Sequence, residues 1–160
     1  MKKTNKKGFT LVELLAVIVI LGVLLMIAVP AVQNVIRSSR KKAFESAAKL
    51  AVENVETIAS SQRVTGKIAP CYVSIAEYIT PKGTKYVKME LERGSFNDAI
   101  GYIYVDEDGK GKIYMSNSDY AISEGTSSDA KAVAPSSDNK ITEEKMKTTI
   151  GENVCTWYYN

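Results

Sequence analysis

From Leu14 to Ile36 the chain carries no charged residue. A helix through these 23 positions, LLAVIVILGVLLMIAVPAVQNVI, would be roughly 34 Å long at about 1.5 Å per residue, enough to cross a hydrocarbon core of about 30 Å. Ahead of it stands MKKTNKKG, with Lys2, Lys3, Lys6 and Lys7 and no acid. Between Gly8 and Val32 only Thr10 and Glu13 interrupt the apolar run. Membrane insertion is therefore the first expectation. Two plain readings fit the hydropathy: a secretory signal peptide cut near Val29–Pro30–Ala31, or a single-pass anchor. Both leave Glu13 unexplained. A carboxylate within a membrane segment costs about 2.5–3.5 kcal/mol on insertion scales, so it is a functional candidate that needs a positive partner. Charge does not decide the orientation, because Arg37, Arg40, Lys41 and Lys42 balance the four leading lysines.

The 160 residues bound the rest to about one domain. There is no histidine, which excludes Ser-His-Asp and Cys-His catalysis and imidazole-ligated zinc. Two cysteines are too few for a four-cysteine metal site. Of the 21 basic residues four precede Phe9; the remaining 17 face 18 acids, so the formal +3 belongs to the leading segment and argues no nucleic-acid surface.

Helical periodicity continues beyond the apolar run. Phe44, Ala47, Ala48, Ala51, Val55, Ile58 and Ala59 form one stripe, and no proline or glycine falls between Pro30 and Gly66. A single helix is expected from about Phe9 to about Arg63, roughly 80 Å long, apolar all round in its first half and amphipathic in its second. Ser74 followed by Glu77 reads as a capping box for a short helix stopped by Pro81 and Gly83. Strands are expected at residues 87–92, 99–105 and 112–116, with a tight turn at Asp108–Gly109 and a further strand near 119–123. The acidic DEDGKG lacks the spacing of a calcium loop and reads as that hairpin turn. Residues 123–140 read as a long exposed loop, a candidate variable outer surface. Thr142 caps a short helix before Gly151, and Trp157, Tyr158 and Tyr159 read as a packing seal. The fold class expected is α+β: the long N-terminal helix packed on a small antiparallel β-sheet.

The string KKGFTLVELLAVIVILGVLLMIAVPAV resembles the class III signal sequence of type IV prepilins and pseudopilins, of the short-leader kind. The resemblance covers about 25 residues. It implies that residues 1–8 are a leader, cut after Gly8 on the cytoplasmic side by a prepilin peptidase that then N-methylates Phe9. It places Glu13 at the family's characteristic acidic position, where its carboxylate meets the Phe9 ammonium of a neighbouring subunit. It makes Gly22 and Pro30 the weak points at which the helix kinks or melts on assembly. It also orients the chain, N-terminus inside. Residues 9–36 would then be the transmembrane and filament-core half of the helix, and residues 37–160 an extracellular α+β domain that includes its second half. Outside the cytoplasm an even pair of cysteines favours a disulfide, Cys71 to Cys155, closing a ring of about 85 residues and worth about 4–5 kcal/mol; two separate thiols are the alternative.

The function so implied is structural: a subunit, of the major kind, that polymerises into a type IV pilus serving adhesion, aggregation, motility or DNA uptake. The alternative is a pseudopilin of a type II secretion or competence system. A membrane-anchored binding module is a third reading. No catalytic residues, metal ligands or cofactors are expected. The expected partners are other copies of the chain, the processing peptidase and methyltransferase, the cytoplasmic membrane before assembly and, indirectly, the assembly platform and its ATPases. No specific nucleic-acid site is evident. The expected location is the cytoplasmic membrane as precursor and then the cell surface.

Overall fold

The computed structural model describes residues 10–64, 66–86, 89 and 98–159. Two compact units divide between Ser39 and Arg40. The helix α1, Leu11–Arg63, starts in the first and ends in the second, with Pro30 inside it. Within the first unit its apolar side chains are exposed on every side, Leu11, Met26 and Ile27 most of all. The segment is long and apolar enough to cross a membrane by length and composition.

In the second unit the amphipathic stretch of α1 lies against an antiparallel sheet. Phe44, Ala47, Ala48, Ala51, Val55 and Ala59 of the expected stripe are buried, with Val52 added to them. The sheet order is β1–β4–β5–β6, from β1 (Cys71–Ser74), β4 (Ile100–Val105), β5 (Gly111–Ser116) and β6 (Ala121–Gly125). Strand side chains alternate between faces. One face gives Val73, Ile103, Val105, Ile113 and Met115 to a core shared with Phe44, Ala48, Val52 and Val55. The opposite face gives Tyr102 to a second cluster with Met146 and Ile150 of α2 (Glu143–Ile150). Thr142 caps α2 as expected, its side chain accepting from the Lys145 amide. The short α3 spans Thr156–Tyr159.

The strands at 99–105, 112–116 and 119–123 fall on β4, β5 and β6, shifted by one or two residues. Asp106 closes the β4–β5 turn by accepting from the amides of Asp108 and Lys110 through Oδ1. Gly109 there has φ +73, a conformation open to glycine without strain. Gly101 has a different reason: a Cβ on it would run into the Tyr114 carbonyl oxygen and the Met115 Cα on β5. The strand expected at 87–92 lies outside the described residues except for Met89, which is buried.

One expectation is corrected and another refined. Ser74 and Glu77 do not open a helix. Ser74 ends β1, its amide donates to Tyr159 and its hydroxyl donates to the Ala76 carbonyl, so it caps nothing. Pro81 and Gly83 instead turn a two-stranded hairpin of β2 (Tyr78–Ile79) and β3 (Lys85–Tyr86). The 123–140 segment is, from Thr126 on, the mostly exposed loop expected, but it is tied down. β6 takes its start, and Val133 then bridges Ala121 with backbone bonds of 2.9 Å in both directions. Ala130 and Ala132 are buried. Two carboxylates of α1 hold the segment: Glu45 accepts from the Ala132 amide at 2.9 Å, and Glu56 accepts from the Ser127 hydroxyl at 2.9 Å. Val133 thus covers one edge of the sheet. Val154 covers the other, bridged to Tyr72, so exposed ladder groups that invite edge pairing are few.

Candidate assembly site at the start of the long helix

The first helical amides have no partner within a helix and need one from outside it. Thr10 supplies it. Its Oγ1 accepts from the Glu13 amide at 3.3 Å, and the Glu13 carboxylate reaches back to accept from the Thr10 amide at 2.8 Å and the Thr10 hydroxyl at 3.0 Å. This is a reciprocal capping box, Thr-x-x-Glu, at the head of an apolar helix. An ionised carboxylate has about four lone-pair sites. All the Glu13 bonds go to Oε2, and among the described residues Oε1 accepts nothing and no cation pairs with Glu13. Oε2 therefore makes the contacts that stabilise the helix end.

Gly8 and Phe9, the expected cleavage and methylation positions, lie outside the described residues. Gly22 and Pro30 both lie within α1, which runs helical through each. Cys71 and Cys155 are brought together and joined, Sγ–Sγ 2.10 Å, Cα–Cα 5.1 Å. The bond fastens β1 to the C-terminal tail where the Tyr72 amide donates to Asn153 and the Cys155 amide donates back to Tyr72. Among the described residues no group of three or more His, Cys, Asp or Glu side chains is placed to hold a metal ion.

Thr10 is the residue that sequence reasoning passed over, as a mere interruption of the apolar run. Its signal was present: Thr10 and Glu13 stand at the capping-box spacing directly before apolar periodicity, a better context than that of Ser74 and Glu77.

A comparison with known families matches residues 3–29 to the prokaryotic N-terminal methylation motif. Neither the curated proteins nor the solved structures contain a significant match to the chain. The matched residues run from Lys3 through Glu13 to Val29, so they take in the capped helix end and the larger part of the apolar stretch. With that segment heading a long helix packed on a small antiparallel sheet, the chain carries a type IV pilin-like class III signal sequence on a pilin-like α+β fold.

Proposed function

We propose that this chain is a type IV prepilin whose mature form, beginning at Phe9, is the major subunit of a surface pilus. The observation that carries the reading is the methylation motif over residues 3–29, in register with an acid, Glu13, at the capped head of an uncovered apolar helix. Gly8 is the last leader residue, and the processing peptidase and methyltransferase act at Gly8 and Phe9. The precursor waits in the cytoplasmic membrane with residues 9–36 in lipid and residues 37–160 outside.

In lipid the backbone must satisfy itself, which favours an unbroken helix. The Thr10 bonds to Oε2 compensate part of the Glu13 charge at that stage. On assembly, Glu13 Oε1 receives the Phe9 ammonium of the adjoining subunit. Methylation keeps that ammonium charged. Removing one partner of such a buried pair costs about 3–5 kcal/mol, so the pair fixes register between subunits more than it adds net stability. Gly22 and Pro30 weaken the helix locally, by about 1 kcal/mol for glycine and more for proline, and the stretch between them unwinds as subunits pack. The chain acts as a building block and not as an enzyme; the work of extension comes from cytoplasmic ATPases.

Intact-mass and N-terminal analysis of the surface protein tests the processing step. The expected chain begins at methylated Phe9; an intact Met1, or a cut after Ala31, overturns the reading. Electron microscopy of sheared filaments labelled for this chain tests the pilus, since label confined to the cell envelope would indicate a pseudopilin. Glu13→Val should be cleaved and inserted normally but enter filaments poorly. A wild-type filament yield from it would refute the charge pairing.

A further inference from the structure

The sheet face turned away from the α1 core carries an unusual set of rings. Tyr72 on β1 stands opposite Tyr104 on β4, and Tyr104 opposite Lys112 on β5; in the next row Tyr102 stands opposite Tyr114. Ring centroids are 5.3 Å apart for Tyr72 and Tyr104, 5.6 Å for Tyr72 and Tyr102, and 5.1 Å for Tyr102 and Tyr114. The α2 cluster buries Tyr102 to 7% exposure but leaves Tyr72, Tyr104 and Tyr114 partly in solvent. Tyr104 belongs to neither hydrophobic cluster. Beside the rings Lys112 Nζ meets Glu124 Oε1 at 2.9 Å, and the Tyr114 hydroxyl donates to Glu124 Oε2 at 3.3 Å. Tyr72 and Tyr114 also pack against the α2 cluster, so Tyr104 is the ring that core packing leaves unexplained.

We propose that the Tyr72–Tyr104–Tyr114 patch, with Lys112 and Glu124 at its rim, is a binding site for a neutral carbohydrate. Tyrosine rings offer a flat apolar surface with a polar edge, suited to the C–H faces of a pyranose. The exposed ammonium and carboxylate supply a donor and an acceptor side by side for vicinal hydroxyls. Size and charge favour a sugar over a protein partner or a nucleic acid. Three strands at about 4.8 Å spacing make a patch roughly 10 Å across, the span of one or two sugar rings and far below the ~800 Å² per partner of a stable protein interface. Among the described residues the cation at its rim, Lys112, is paired with Glu124 and feels Asp106 as well, which weakens its draw on a phosphate backbone.

The test is saturation-transfer NMR on the full chain in phosphocholine micelles, which carry no sugar headgroup. The probes are lactose and N,N′-diacetylchitobiose at millimolar concentration. Saturating the tyrosine ring protons should transfer to the pyranose C–H protons of at least one sugar. Tyr104→Ala should weaken binding about tenfold while Tyr104→Phe, which keeps the ring, retains it. Lys112→Gln, at an exposed position that tests the site without threatening the fold, should weaken it about threefold. No transfer to either sugar overturns the proposal. So does transfer that Tyr104→Ala and Lys112→Gln leave unchanged, or binding of oligo-dT or an acidic peptide at the same tyrosines in place of sugar.

Discussion

Tyr159 holds its hydroxyl against the backbone of Ser74, accepting from the amide at 2.9 Å and facing the carbonyl at 3.4 Å. Burial raises its pKa to about 12, because the phenolate would lose its water; the Ser74 amide opposes this only partly. The folded value lies above the unfolded one of about 10, so the stability linked to Tyr159 is full below pH 10 and is lost as the pH rises through about 12. Ultraviolet titration should therefore resolve a tyrosine ionising well after the exposed ones, coupled to alkaline unfolding. Tyr159→Phe should remove that late step and cost about 1 kcal/mol in urea melts, since the Ser74 amide loses its acceptor. Thr10 makes a parallel case at the other end of the chain. Thr10→Val deletes the hydroxyl that caps Glu13 and should weaken the first turn of α1 by about 1 kcal/mol. Hydrogen exchange in micelles should show the Glu13 amide exchanging about fivefold faster; an unchanged rate would dismiss the capping role. Of these two residues, the Thr10 cap was legible from spacing and the Tyr159 contact was not, because its partner lies 85 positions away.

The elements divide the same way. α1 was readable almost to the residue, since an uninterrupted apolar run and an amphipathic stripe are both local patterns. β4, β5 and their turn followed from a run of β-formers and from Asp108–Gly109. The error at Ser74 and Glu77 came from treating a motif as self-sufficient. A serine caps a helix only when its backbone starts one, and here Ser74 ends β1 with its amide and carbonyl turned to the Tyr159 hydroxyl. Over 123–140 composition identified the loop but not its attachment: Ala130 and Ala132 reach the core, and Glu45 and Glu56 accept from the Ala132 amide and the Ser127 hydroxyl. Gly101 gives the sheet its clearest test. Gly101→Ala sets a methyl against the backbone of β5, which has no flexible side chain to move aside. A loss of several kcal/mol is expected, read as a large fall in thermal midpoint, whereas a midpoint within a few degrees of wild type would show that β5 yields.

For the whole molecule the disulfide matters most. Cys71 and Cys155 are 84 positions apart, and closing that ring restricts the unfolded chain by about 4–5 kcal/mol in the entropic account. It also fixes the tail that seals the core through Trp157, Tyr158 and Tyr159. The double variant Cys71→Ser/Cys155→Ser should unfold at much lower urea concentration, with the first half of α1 still inserting in membranes. If the urea midpoint of the folded domain does not move, the crosslink has no part in its stability.

The sequence alone determined the anchor, the long helix, the strand-rich second half and the family of the leader, because each is encoded within a few turns or strands of contiguous chain. It also offered the cysteines as a pair. Only the tertiary structure decided what depends on distant residues meeting: which helix carboxylates hold the 123–140 segment, which strand takes Ser74, and how four tyrosines from three strands come to share one face. Those outcomes rest on register and packing between residues 12 to 87 positions apart, and no local pattern records them.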